Sequence, residues 1–367
     1  MKKSSIVIAA GGTGGHFFPA KALAMQLRSR GYPIIFVTDK RINDTDLAQW
    51  DDVQQFVVEG GGIAGKNILK RMQNILKIFQ GVGQSYTFLK KETVSVMVGF
   101  GGYPSFAPLL ASRAFSKKRR PALILHEGNA CLGLANRILS KFASAIATSF
   151  PHVAGLDNDN RVVVTGLPVR PDITALYSSS YSPPKDFFNI LVWGGSLGAK
   201  VFGELIPQAL ADLPIELRQK IRLTQQVRKE DIDRVSEYYK EIGIVAELAP
   251  FFKNVATLLN QAHLVIGRSG GSSIAELSLA KKPAILIPYP YAANNEQSLN
   301  AKAFAENGAG WVFEQSELTP AILTAQLTDL FTHPEKLVQA AAAHHLAFPN
   351  AASDLADLVE KYVPSSS

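Results

Sequence analysis

SIVIAAGGTGGHFFPAKALAMQLRSRG, residues 5–31, decides how the chain is read. It opens on an apolar run of strand length, passes through five closely spaced small residues, and continues with apolar positions at helical spacing until Gly31. A strand, a glycine turn and a helix in that order make half of a parallel βα unit. Glycines in such a turn let backbone N–H groups approach a phosphate, and the helix N-terminus adds a favourable partial charge. The next apolar run, YPIIFVTD from Tyr32, supplies a second strand.

The same plan returns at Asn189 in NILVWGGSLGAKVFGELIPQAL. A second pair echoes it, VSVMVGFGGYPSFAPLLAS from Val94 and HLVIGRSGGSSIAELSLA from His263. Alternating strands and helices with this duplication predict an α/β chain of two Rossmann-like, doubly wound parallel-sheet domains facing a central cleft. The domains are placed at residues 1–168 and 189–345. The proline- and serine-rich stretch 169–188 is read as a linker. A last helix, about residues 346–363, follows the break at Pro349 and is expected to pack back on the first domain.

A length of 367 residues suits two domains, and 47% hydrophobic with 19% charged residues describes a globular chain. The single cysteine, Cys131, excludes a disulfide framework and a cysteine metal site, and points to a reducing cytoplasm. Thr93–Ser112 carries no charge and is nominally long enough to span a bilayer, but its glycines and prolines read as strand, loop and helix. The glycine turn after MKKSSIVIAA comes too early for a secretory apolar region, so no leader is expected. The net charge of +7 is uneven: residues 1–168 hold 21 Lys+Arg against 10 Asp+Glu, and residues 169–367 hold 17 against 21. The first half therefore suits an anionic partner: nucleic acid, an anionic membrane or a polyphosphate.

Three nearby motifs fail on inspection. GGTGGHF lacks the third glycine of a dinucleotide fingerprint, although Asp39 sits where a ribose-binding acid would be. GGGIAGKN from Gly60 has Asn67 where a triphosphate loop needs Ser or Thr, so it is read as a basic loop. Asp157-Asn158-Asp159 is read as an Asx-rich turn, and His344-His345 as part of an alanine-rich helical surface. His16, at the rim of a phosphate-type turn, is either a loop brace or a general base.

GGTGGH, GFGGYPS, HEGN, VTGLPVR, GGSLGA and GRSGGSSIAEL with NNEQSLNAKAF occur in one order over residues 5–345. In these motifs the sequence resembles the MurG family, bacterial N-acetylglucosaminyltransferases of glycosyltransferase family 28. The resemblance implies the GT-B fold and an inverting transfer of GlcNAc from UDP-GlcNAc to the muramic acid 4-hydroxyl of lipid I, giving lipid II for peptidoglycan. It implies no cofactor and no metal. It places the donor on the second domain and the lipid-linked acceptor on the first.

On the donor side the matching residues are Gly195 and Ser196 at the diphosphate, with Arg170 as a cationic partner. Phe251 or Phe252 would border the uracil, Glu276 would meet the ribose hydroxyls, and Gln297 and Asn300 would read the sugar. On the acceptor side they are Thr13, Gly14, Gly15, Tyr103, His126 and Asn129, with His16 or Glu127 as the base. The transition state would have oxocarbenium character, with charge on the departing UDP met by the turn, a helix N-terminus and Arg170. GGTGGH would then cradle the carrier's diphosphate and not a nucleotide.

The implied partners are UDP-GlcNAc, lipid I, an anionic membrane surface, and cell-wall synthesis and division proteins, with no nucleic acid. The implied place is the cytoplasmic face of the inner membrane, held peripherally. NILKRMQNILKIF from Asn67 carries Ile68, Leu69, Met72, Ile75, Leu76 and Phe79 on one stripe beside Lys70, Arg71 and Lys77. The default for such a stripe is core packing, and the alternative is a membrane contact. Lys117-Lys118-Arg119-Arg120 is a further candidate for that contact. The sequence departs from the family pattern at Leu167, Leu197, Gly128 and Glu296, and TQQVRK around Gln226 stands for a His-Gln…Gly-Lys segment. The alternative reading is a UDP-GlcNAc epimerase of the same two-domain plan.

Overall fold

The computed structural model describes residues 4–11, 14–40, 53–58, 68–195 and 198–364, with the side chains of residues 68–75 left aside. Two compact units emerge. The first holds Met1–Arg170 together with Asn350–Ser367, and the second holds Pro171–Pro349.

In the first unit seven parallel strands lie in the order β3-β2-β1-β4-β5-β6-β7. They are β1 (Ser5–Ala9), β2 (Ile34–Thr38), β3 (Gln54–Val57), β4 (Val94–Gly99), β5 (Ala122–Glu127), β6 (Ala145–Thr148) and β7 (Val162–Val164). The longer helices are α1 (Gly14–Ser29), α2 (Ile68–Leu89), α3 (Tyr103–Ala111) and α4 (Leu134–Leu139). The central strands are largely apolar because helices cover both faces of a parallel sheet. Ile6 and Ile8 of β1 join Leu23 and Leu27 of α1 on one face. On the other, Ser105 of α3 donates to the Ala9 carbonyl at 2.6 Å. The charge-free stretch 93–112 is therefore β4, a turn and α3, and among the described residues no helix is long and apolar enough to cross a membrane.

In the second unit six parallel strands run β10-β9-β8-β11-β12-β13. They are β8 (Phe188–Trp193), β9 (Ile221–Gln226), β10 (Val245–Ala249), β11 (Leu264–Gly267), β12 (Ala284–Leu286) and β13 (Gly310–Val312). Its longer helices are α5 (Phe202–Ala211), α6 (Ile232–Glu241), α7 (Val255–Gln261), α8 (Gly271–Leu279), α9 (Glu296–Ala305), α10 (Pro320–Thr332) and α11 (Glu335–Ala342). Ile190 and Val192 pack with Phe202 and Ile206 of α5, Tyr239 of α6 and Leu327 of α10.

The chain then returns to the first unit as α12 (Ala351–Glu360). Its Leu355 and Val359 enter the α1 side of that core, and Arg30 binds Asp357, Glu360 and Ser353. The proline- and serine-rich stretch is not bare chain. Tyr177 lies 4.6 Å from the Lys281 ammonium, and the Tyr181 hydroxyl donates to the His263 carbonyl at 3.0 Å, so it rides on the second unit.

Candidate functional site

Strand order reverses beside the first strand of each sheet, between β1 and β4 and between β8 and β11. Loops at the C-terminal ends of strands diverge at such a point and leave room for a ligand. All four glycine motifs leave these four strands, so each sheet gathers two of them at its switch point.

In the first unit α1 begins at Gly14, leaving Gly15 exposed and His16 half-buried. The His16 ring rests on the turn after β4. A Cβ at Gly101 would stand 3.5 Å from its Nε2, and one at Gly102 would stand 3.9 Å from its Nδ1. Both glycines have positive φ, +87° and +73°, so the turn needs glycine for its backbone as well as for the ring. Tyr103 follows, half-buried, with its hydroxyl donating to the Lys77 carbonyl at 3.1 Å and tying α3 to α2. Burial pushes that phenol's pKa up.

HEGN ends β5 and faces inward. His126 is 1% exposed, stacks on Phe100 with centroids 5.0 Å apart, and donates from Nε2 to the Gly166 carbonyl at 3.0 Å. Burial, together with nearby His16, lowers its pKa to about 4, so it is neutral at pH 7. Glu127 is 3% exposed and fully engaged. Oε1 accepts from the Asn129 backbone at 3.1 Å and the Asn129 amide at 3.3 Å. Oε2 accepts from Gly133 N and Asn136 Nδ2, both at 2.9 Å. Burial raises its pKa while these four donors pull it down. Each carboxylate oxygen thus has both acceptor positions filled, and Glu127 holds the loop 128–136 in shape. Two departures from the family pattern meet here, since Leu167 Cδ1 lies 3.4 Å from where a Gly128 Cβ would be. A longer residue at 128 would have to share that space with the leucine.

In the second unit the turn after β8 is tight. A Cβ on Gly194 would stand 2.3 Å from the Ala199 nitrogen, and Gly195 and Gly198 have positive φ. Buried Gln226, at the end of β9, accepts from Gly194 N and donates to the Pro250 carbonyl, both at 3.1 Å. It therefore joins the glycine turn to the loop bearing Phe251, 62% exposed, and Phe252, half-buried. Glu276 is half-buried on α8. Gln297 accepts from Tyr289 N at 3.0 Å, and its carbonyl accepts from Ser269 Oγ at 2.7 Å. Asn300 is buried and donates to the Ser269 carbonyl at 3.0 Å, so both residues brace the turn after β11. Arg268 does so from below. It is 9% exposed, donates to the Ile287 and Pro288 carbonyls at 2.9 Å and to Gln315 at 2.7 Å, and lies between Phe202 and Tyr289.

Arg170 belongs to the first unit, where its guanidinium lies 5.6 Å from the Phe18 ring centroid. Thr13, Ser196, Leu197 and the loop GGGIAGKN lie outside the described residues. Asp159 is engaged by Arg161 at 2.6 Å beside left-handed Asn158, as a turn requires. His344 lies past the end of α11, edge-on to Phe304 at 5.2 Å, and so is not on an exposed helical face. Gln226, Asn136 and Arg268 were not singled out as site residues. Gln226 carried a signal as the centre of a segment that departs from the family, and Arg268 as part of GRSGGSSIAEL.

Comparison with known proteins agrees with this fold. The glycosyltransferase family 28 N-terminal domain matches residues 6–148, and its C-terminal domain matches residues 189–359. A UDP-N-acetylglucosamine–N-acetylmuramyl-(pentapeptide) pyrophosphoryl-undecaprenol N-acetylglucosamine transferase from Gluconobacter oxydans is 49% identical, over 98% of this chain and 99% of its own. One of the same name from Granulibacter bethesdensis is 45% identical, over 97% and 93%. The crystal structure of Acinetobacter baumannii MurG superposes with a TM-score of 0.78 at 27% identity, covering 98% of this chain and 99% of that one. A putative UDP-N-acetylglucosamine 2-epimerase from Listeria monocytogenes, at 16% identity and a TM-score of 0.65, shares the fold alone. With near full-length identity to named transferases and both domains matched, the chain belongs to glycosyltransferase family 28.

Proposed function

We propose that the chain transfers GlcNAc from UDP-GlcNAc to the 4-hydroxyl of the muramyl sugar in an undecaprenyl-diphosphate-linked acceptor, lipid I, with inversion at the anomeric carbon. The observation that carries the mechanism is the contrast between His16 and Glu127. The His16 imidazole lies at the N-terminus of α1 on the Gly101–Gly102 turn, half-buried, whereas both Glu127 oxygens are filled from within. The engagement of Glu127 and the position of His16 support His16 as the base in this reading.

As the acceptor oxygen forms its bond to the anomeric carbon, the bond to the UDP oxygen breaks and its electron pair leaves with UDP. His16 takes the acceptor's proton. The N-terminus of α1, with Gly14 and Gly15, meets the carrier's diphosphate, and Glu127 keeps Asn129 at the rim. On the donor unit Glu276 meets the ribose hydroxyls, Phe251 and Phe252 border the base, and the turn after β8 receives the diphosphate. Gln297 and Asn300 act on the sugar through the Ser269 turn that they brace.

His16→Ala tests this. Turnover should fall by roughly 10²- to 10⁴-fold, the range of general-base catalysis, with UDP affinity within about twofold of the parent. Near-normal turnover in that variant would remove His16 from the mechanism.

The first unit would meet the membrane through exposed apolar side chains beside cations. On α2 these are Leu76 and Phe79, 63% and 69% exposed, with Lys77 between them. Core packing, the default for that stripe, does not hold at these two residues. On α4 and the turn after it, Leu134, Ile138 and Phe142 form an exposed ridge flanked by Arg137 and Lys141. Such patches suit an anionic bilayer surface. The run 117–120 stands elsewhere, since Arg119 donates to the carbonyl of Lys90, about 20 Å along the axis of α2 from Leu76.

A further inference from the structure

We propose that Arg228, on the loop after β9, is the cation of the second unit that meets the donor's diphosphate. The inference rests on the donor-site reading above and adds a residue to it. The glycine turn after β8 offers N–H groups but no formal charge, whereas a departing nucleoside diphosphate gains negative charge as the sugar leaves. A cation anchored at the turn supplies what the turn lacks.

Three observations place Arg228 there. Gln226 is bonded to Gly194 N, and Val227 N donates to the Ala249 carbonyl at 3.0 Å, so the backbone leading to residue 228 is fixed to the turn and to β10. A Cβ on Gly198 would stand 3.6 Å from Arg228 Cγ and 4.0 Å from Arg228 N, so the stem of the arginine lies along the turn. The side chain is exposed, and among the described residues its guanidinium has no hydrogen bond, ion pair or ring contact.

Of the other cations near this end of the sheet, Lys229 and Lys253 are exposed, but among the described residues only Arg228 is seen along the glycine turn, and three others are engaged. Lys200 faces Glu204 at 3.8 Å, Arg234 binds Asp231 at 3.1 Å, and Arg268 is buried on carbonyl oxygens. Arg170 belongs to the other unit. The guanidinium of Arg228 presents a planar fork that pairs with two phosphate oxygens at once, which an ammonium cannot do.

The test is calorimetric titration of the full chain with UDP and, separately, with uridine. The variants are Arg228→Met, Arg228→Lys, Lys220→Met as the same charge change at the far end of β9, and Glu276→Gln as the donor-site control. Arg228→Met should weaken UDP roughly 10- to 100-fold, the range of a charge-assisted contact, and leave uridine within about twofold. Arg228→Lys should recover part of the loss, and Lys220→Met should bind UDP as the parent does. A role in folding alone would lower both ligands together and would not be rescued by lysine. UDP binding within about twofold of the parent in Arg228→Met, with Glu276→Gln weakened, overturns the role of Arg228 alone. If Glu276→Gln also binds UDP and uridine as the parent does, the donor-site reading falls with it.

Discussion

His126 and Glu127 are neighbours in sequence with different fates, because β5 ends between them and the loop that Glu127 organises. His126 has a testable consequence. Its pKa in the fold is about 4, below the usual value near 6.5, so protonation favours the unfolded chain. Its contribution to stability is complete above about pH 6.5 and is lost as pH falls toward about 4, by on the order of 3 kcal/mol. His126→Gln keeps a donor for Gly166 and removes the titration. Urea midpoints measured from about pH 7 to about pH 4.5 should fall more steeply in the parent than in this variant, and parallel curves would contradict the assignment. At this scale the sequence was half legible. His16 announced itself by standing beside five small residues, but nothing in HEGN says that its first two side chains turn inward. That follows from a strand covered on both faces and from donors on Asn129, Gly133 and Asn136, which only the folded loop brings together.

At the scale of elements, α12 and the α2–α4 face carry the clearest tests. Leu355 is fully buried where α12 meets the first unit's core. Leu355→Ala should cost about 2–5 kcal/mol, read as a fall in the unfolding midpoint of that unit, and an unchanged midpoint would show that α12 is not part of its core. On the other side of the sheet, reversing the charges of Lys77, Arg137 and Lys141 should weaken binding to vesicles of anionic lipid and not to neutral ones. Equal binding would remove this face from the membrane contact. The α2 stripe shows why periodicity could not settle the matter. A helix with one apolar face has the same pattern whether that face meets a core or a bilayer, and the exposure of Leu76 and Phe79 says only that these two side chains are outside a core.

At the scale of the molecule, the order of elements was readable because the strands that anchor it are mainly apolar runs closed by a glycine turn. β1, β4, β8 and β11 all have that form, and they are the strands at the two switch points. The short edge strands were less legible. β3, QQFV, is mixed in character, and β7, though VVV, is only three residues long and largely exposed, since an edge strand lacks the double burial of a central one. Charge alone pointed only to an anionic partner for the basic first half; the placing of acceptor and donor on the two domains came from the resemblance, because net charge does not say which anion it meets. The most direct measurement is UDP release from UDP-GlcNAc by the full chain, with and without a soluble lipid I analogue, together with analysis of the sugar product. Transferase chemistry predicts release that depends on the analogue and a β-linked disaccharide. UDP release at the same rate without the analogue, and no disaccharide, would contradict it.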